Sequence, residues 1–181
     1  GLRSLDTDFA LTNGVISVTR LHLVRPEGEL RIAGHADLVH QTFLADLTNS
    51  VDLLSARTFF KAPKTRKVLD TIQFNSPPHI AGKIQATWTN WSTLQAAGLV
   101  NFTNFSYAGH GMSNLNAGIT YTNQIIQINN IDLRRNVEEN ATADSVTIDL
   151  EKELLSVTNG LTHWDVADAT QIIGPKTYEA V

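Results

Sequence analysis

Asp6 and Asp8 stand two apart in an alternating stretch, which puts both carboxylates on one face of a strand. Paired carboxylates are the machinery of glycoside hydrolysis. The positions that correspond to them in a second, similar stretch are Asn116 and Gly118. A catalytic pair would therefore exist once where the pattern occurs twice, and solvated edge charges account for both acids. His163, Asp165 and Asp168 gather metal-ligating side chains near a helix start. Capping by Thr162, with first-turn acids facing the helix dipole, explains these acids without a metal. His35, His40 and His110 have no Ser or Asp arranged as a triad would need. No glycine loop of the phosphate-cradling kind occurs, and Gly109-His110-Gly111 reads as a turn. Trp88 and Trp91 could stack on a sugar, but three apart on a strand they point to opposite faces unless a bulge intervenes. Asn90, Asn101, Asn104 and Asn140 open N-x-S/T triplets; with 14 Asn and 20 Thr in the chain such triplets arise by chance and indicate no glycosylation. The expectation is a chain without catalytic residues, bound metal or cofactor.

The composition points elsewhere. The chain has 181 residues, a net charge of −4 and no Cys. Disulfides, thiolate metal sites and cysteine nucleophiles are excluded, and the charge gives no reason to expect nucleic acid. Charged residues make up 18%, below the roughly 25% of ordinary soluble domains; Asn, Ser and Thr fill the gap, as in β-and-turn proteins. No apolar run reaches the ~18–20 residues of a helical membrane span. The start lacks a basic and apolar leader, and the chain reads as a fragment of something longer.

Alternation places strands at about 3–12, 15–25, 29–39, 42–49, 79–90, 95–108, 112–122, 124–134, 141–150 and 153–159. Short links such as Asn13-Gly14, Pro26-Glu27-Gly28 and Asn123 make neighbours antiparallel. Three times the alternation slips by one: Ile16 and Val18 give way to Leu21 and Leu23, Ile126 and Ile128 to Ile131 and Leu133, and Val100 and Phe102 to Phe105 and Tyr107. A step of three restores the same face through a β-bulge, with added twist and bend. Helices are expected over 51–60, 64–74 and 165–173, the last two bounded by Pro63 and by Gly174-Pro175.

The chain also resembles itself. Leu5–Arg25 lies over Leu115–Arg135, Asp37-Leu38 over Asp149-Leu150, Thr48-Asn49 over Thr158-Asn159, and Ala62–Thr65 over Gly174–Thr177. The same order kept through successive segments implies a repeat of about 110 residues. The fold expected is mainly β: a strongly curved antiparallel meander with bulges and short helical crossovers, internally repeated. Its parts are the end of one repeat at 1–60, a crossover with a Pro-Pro entry at 61–78, a second repeat at 79–173, and the start of the next crossover at 174–181.

In the second unit the bulky residues share one face: Ile80, Ile84, Trp88, Val100, Phe102, Phe105, Tyr107, Leu115, Ile119, Tyr121, Ile126, Ile128, Ile131, Leu133, Val146, Ile148, Leu150, Leu155 and Val157. The other face is polar, with Lys83, Gln85, Asn101, Thr103, Asn116, Thr120, Gln127, Asn129 and Thr147 among its residues. Helices of about ten residues are too few to cover such a sheet. Either it closes on itself as a sandwich core, or part of the face stays open to a greasy ligand.

Three phrases carry a resemblance to a known family. They are the Asn13-Gly14-Val15-Ile16 turn, the run Leu21-His22-Leu23 … Gly28-Glu29-Leu30-Arg31-Ile32-Ala33-Gly34-His35-Ala36-Asp37-Leu38, and the connection Asn75-Ser76-Pro77-Pro78-His79-Ile80. In these the chain resembles the AsmA/TamB-like bacterial envelope proteins. The resemblance implies a β-groove segment of a periplasmic region behind an inner-membrane anchor that lies outside this chain. It implies further repeats as neighbours, phospholipid acyl chains as ligand, and lipid transfer or outer-membrane assembly as the task. The residues expected to line the groove are Ile80, Ile84, Trp88, Phe102, Tyr107, Ile119, Tyr121, Ile126, Ile128, Val146 and Ile148. The other expectations are a β-sandwich module that binds glycan or protein, and a structural stalk.

Overall fold

A computed structural model of the chain describes residues 2–51 and 70–164. Twelve strands follow one another: β1 (Ser4–Thr12), β2 (Val15–Arg25), β3 (Gly28–Asp37), β4 (Thr42–Asn49), β5 (Ile72–Phe74), β6 (His79–Thr87), β7 (Asn90–Tyr107), β8 (His110–Thr122), β9 (Ile125–Arg134), β10 (Asn140–Asp149), β11 (Leu154–Thr158) and β12 (Leu161–Thr162). They form one antiparallel sheet in the order β1-β2-β3-β4-β6-β7-β8-β9-β10-β11, with β5 on β7 and β12 on β10. The sheet does not close: in this path β1 pairs only with β2 and β11 only with β10. Every substantial contact between strands is with a hydrogen-bonded neighbour, so among the described residues no second sheet packs on the first. The sandwich expected as one alternative is not what these residues build.

Local chemistry explains the meander. Three hairpins turn on two residues with positive φ: Asn13 (50°) and Gly14 (78°), Ala108 (50°) and Gly109 (85°), Asn123 (50°) and Gln124 (63°). Positive φ at both central positions is the type I′ geometry, whose twist matches that of the flanking strands. The links expected at Asn123 alone and at Gly109-His110-Gly111 are thus each moved by a residue, and His110 opens β8. A four-residue link joins β3 to β4 and another joins β10 to β11. In the first, Asp37 Oδ1 accepts from the N–H groups of Val39 and His40, both at 2.9 Å. In the second, Asp149 Oδ1 accepts from Glu151 at 3.1 Å and Lys152 at 2.9 Å. Each link ends on a residue with positive φ, Gln41 at 59° and Glu153 at 54°. Each is tied to the neighbouring hairpin: Leu38 N–H donates to Gly14 O at 2.8 Å, and Leu150 N–H to Gln124 O at 2.9 Å.

Two of the three expected slips coincide with register shifts, in β2 and β9; the third, in β7, does not, because β7 keeps one register on β8 from Gln95 to Tyr107. Against both β1 and β3, the register of β2 changes between Val18 and Leu21. Against β8, the register of β9 changes between Asn129 and Asp132, where Asn130 has φ 52°. In β7 Asn104 has φ 47°, and Phe102 and Phe105 then meet edge to face at 5.9 Å. At Asn104 and Asn130 the residue is left-handed, a conformation Asn tolerates better than other non-glycine residues, while the slip in β2 involves no positive φ.

Two expectations are corrected. The end of the expected helix over 64–74 is extended instead: Ile72–Phe74 is β5, held on β7 with Phe74 opposite Phe105. The pull is aromatic, since Phe74 also meets Phe102 edge to face at 5.0 Å. Trp88 and Leu150 lie in turns rather than on strands, because β6 ends at Thr87 and β10 at Asp149. The expected helices over 51–60 and 165–173, and 64–69 of the third, fall outside the described residues, except Val51.

The buried apolar side chains among the described residues are Ala86, Val100, Phe105, Met112 and Ala117, all on β6–β8, with Pro78 at the entry to β6. Asn49 is the buried polar residue. Its amide donates to Val51 O at 3.0 Å and accepts from Val51 N–H at 3.3 Å, which satisfies it.

Candidate functional site

Residues directly opposite in antiparallel strands point to the same side, so the pairings trace rows across the sheet. One row is Phe9, Val18, Gly34, Ala45, Ile84, Ala96, Tyr121, Ile126, Ile148 and Leu155. The next is Thr7, Leu21, Ile32, Leu47, Gly82, Gly98, Ile119, Ile128, Val146 and Val157. Apart from Thr7 and the Tyr121 hydroxyl, both rows are apolar from the first strand of the path to the last. At about 4.8 Å per strand step, each spans roughly 43 Å. Flanking positions extend the face, with Leu5, Leu23, Leu30, Asn49, Ile80 and Val100 on one side and Leu11, Ile16, Ala36, Phe43 and Ala86 on the other.

Of the expected groove residues, Ile80, Ile84, Phe102, Ile119, Tyr121, Ile126, Ile128, Val146 and Ile148 lie on this face. Tyr107 follows Phe105 at the far end of β7, opposite Ile72 and His110. Trp88 does not stand in a row; it caps the β6–β7 turn, its N–H donating to Gln41 O at 3.0 Å. Trp91 reaches Phe43 instead, ring to ring at 6.1 Å, and stays 61% exposed. Sequence reasoning confined the face to the second unit and so missed the half contributed by β1–β4. The signal was there, in the same alternation of Ile16, Val18, Leu21 and Leu23. Met112 and Ala117 were also missed; Ala carries little hydrophobic weight, and Met112 sits across a slip from Leu115.

The middle of the face is a shallow cleft of about 320 Å³ lined by Leu47, Ile80, Gly82, Ile84, Gly98 and Phe102, among others. Its floor is low because Gly82 and Gly98 face each other. A Cβ on Gly82 would stand 2.5 Å from Ala97 O, and one on Gly34 would stand 2.2 Å from Leu44 O. Only a residue without a Cβ lets neighbouring strands approach this closely.

The opposite face is polar and internally paired. Arg20 bridges Asp6 at 3.0 Å and Asp8 at 3.1 Å, all three side chains more than half exposed. The two carboxylates therefore share a guanidinium on an open surface, with no enclosure around them. Glu29 accepts from Arg31 at 2.8 Å and lies 2.9 Å from His22 Nε2; the His22 bond first, then that of Arg31, holds its carboxyl below the ordinary value. Lys83 meets Asp46 at 3.3 Å, and Gln85 Nε2 donates to Gln95 Oε1 at 2.8 Å. Asn101 bonds Asn116, and Arg134 grips Asp132 through Nε and Nη2.

The remaining chemical candidates are dispersed. His40 Nδ1 lies 2.7 Å from Asp37 Oδ2 at the β3–β4 turn, and His35 is exposed on the polar face. His163 Nδ1 is 3.2 Å from Asn140 Oδ1, while Asp165 and Asp168 lie outside the described residues. Among the described residues no three His, Asp or Glu side chains gather as a metal site would require, and no helix is long and apolar enough to cross a membrane. The arrangement sets an apolar face against a polar one on the same sheet. No protein-family model, curated protein or solved structure matches this chain.

Proposed function

We propose that this chain is a non-enzymatic β-groove segment of an AsmA/TamB-like envelope protein, and that its apolar face carries phospholipid acyl chains in the periplasm. The observation that carries the reading is the pair of rows across ten strands, apolar but for Thr7 and the Tyr121 hydroxyl. An ordinary antiparallel sheet needs one apolar face too, but covers it with another layer. Here the rows end on side chains that are largely exposed: Phe9 at 72% and Leu155 at 65%. A tail laid along a row would gain about 0.8 kcal/mol for each CH₂ it buries.

The finer architecture belongs to the same proposal. A repeat of about 110 residues is supported by the matching Asp37 and Asp149 turns, by the paired hairpins at Asn13 and Asn123, and by the slips in β2 and β9. Curvature toward the apolar side is supported by those slips and by the close backbone approach at Gly34, Gly82 and Gly98. Both devices bend natural and designed sheets.

The test is paired. Ile128→Asp places a carboxylate in the middle of a row on β9. On an open face the charge keeps access to water, so the variant should lose co-purifying lipid, read by mass spectrometry, with little change in thermal midpoint. In a closed core the same substitution strands an unpaired charge and costs several kcal/mol. Lipid-free wild type together with a collapsed midpoint in the variant would sink the lipid reading and return the stalk or protein-binding module as its replacement.

A further inference from the structure

The polar face is of two kinds. Over β1–β3 it is ionic, with Arg20, His22, Glu29 and Arg31 in paired contacts. Beyond the Asp46–Lys83 bridge the charge stops. From Ile84 to Ile131 the chain has no Asp, Glu, Lys or Arg, although 18% of the whole chain is charged. The residues of this face are there amides and hydroxyls, Gln85, Gln95, Thr120, Thr122, Gln127 and Asn129, around small side chains such as Ala97. A face that meets only water ordinarily mixes in charge of both signs. This neutral half is also hollow. One hollow of about 300 Å³ takes aliphatic surface from Leu44 and Ala97, with Gln85, Gln95, Thr120 and Thr122 around it and Lys83 at its margin. A second, of about 350 Å³, shares Leu44, Gln85 and Gln95 and continues to His35, Thr42 and Thr87. Together they make a track over the five strands β3, β4, β6, β7 and β8, roughly 19 Å long at about 4.8 Å per strand step. Gln85 Nε2 donates to Gln95 Oε1. Gln85 Oε1, Gln95 Nε2 and the Thr120 and Thr122 hydroxyls make no hydrogen bond to a described residue.

We propose that this track binds a neutral glycan strand laid across β3–β8. A sugar hydroxyl both donates and accepts, and so do the Gln amide and the Thr hydroxyl. The aliphatic surface of Leu44 and Ala97 suits the C–H face of a pyranose ring. Other occupants match the track less well. An anionic polymer is held by cations that replace its counterions, and Lys83 is already tied to Asp46. A protein partner is anchored by aromatic or Arg side chains in a packed pocket, whereas the aromatics beside the track, Phe43 and Tyr121, belong to the apolar face. A peptide strand adds to the edge of a sheet and not to its face. The inference is independent of lipid, which is assigned to the opposite side of the sheet.

The test titrates the full chain with maltotetraose, cellotetraose and N-acetylated chitotetraose and follows backbone amides by NMR. At least one of these probes should shift resonances of β4, β6, β7 and β8 saturably. Gln85→Ala with Gln95→Ala removes both amides from exposed positions, so the circular dichroism of a β-protein should stay unchanged. Affinity for that probe should fall about tenfold. Gln127→Ala, on the same face but outside the track, should bind as wild type does. No saturable shift with any of the three probes up to millimolar concentration would overturn the proposal. So would a double variant that binds as tightly as wild type, or an equal loss in Gln127→Ala. Ile128→Asp lies on the other face and should leave sugar binding unchanged, so the glycan and lipid readings fail separately.

Discussion

Asp37 and Asp149 each take two backbone N–H bonds and one side-chain partner, His40 and Lys152. In both, the backbone bond from the residue three positions on is the largest cause, the side-chain bond next, and the carboxyl is held below its ordinary value. A carboxylate whose pKa is depressed by folding contributes stability that is present above its unfolded pKa and lost as pH falls through the folded one. Both turns should therefore loosen on the acid side of the usual carboxylate range, and not near neutrality. Asp37→Asn with Asp149→Asn keeps an acceptor oxygen but removes the titration, so the thermal midpoint should lose part of its decline on acidification. Midpoint-against-pH curves that stay parallel for wild type and double variant would refute the assignment. The sequence exposed the matched Asp-Leu pairs. It could not expose the bonds, because an Asx turn depends on the loop's φ angles, which Gln41 and Glu153 set without a glycine to announce them.

At the scale of the element, alternation was a reliable guide wherever both faces had contrasting chemistry. β2, β4 and the slips at Thr19-Arg20 and Asn130 were legible because a shift of one residue would send bulky side chains to the polar side. Legibility failed where that contrast weakens. β7 begins at Asn90, five residues before the expected start, since Trp91-Ser92-Thr93 alternates poorly. β5 is three residues long and depends on Phe102 and Phe105 far along the chain, so nothing local could distinguish it from the end of a helix. The slip at Asn130 can be tested directly. At φ 52° an Ala side chain meets the left-handed penalty that Asn partly escapes, so Asn130→Ala should destabilise by about 1 kcal/mol. Asn130→Gly should be neutral or mildly stabilising in the same urea titration. Equal midpoints for Ala and Gly would mean that this residue does not maintain the slip.

At the scale of the molecule, the described residues form a single sheet in which each strand depends mainly on its two hydrogen-bonded neighbours. Such an assembly approximates a linear array whose stability is a sum of local and nearest-neighbour contributions. Those contributions are uneven here. The buried apolar side chains lie on β6–β8, β7 and β8 share the longest pairing, from Gln95↔Thr122 to Tyr107↔His110, and the aromatic cluster of Phe74, Phe102 and Phe105 closes one end of it. At the edges Leu5, Phe9 and Leu11 on β1 and Leu154, Leu155 and Val157 on β11 are all more than half exposed. Opening free energy follows burial and backbone protection, so native-state amide exchange should be slowest in β7 and β8. It should quicken stepwise toward β1 on one side and β11 on the other, with sub-global openings that include the edges and spare the centre. The protein should then fail the coincidence test for two-state unfolding, probes on β1 melting before those on β8. Uniform protection from β1 to β11 would show that something covers the apolar face along its whole length, and would remove the open surface on which the proposed lipid site depends.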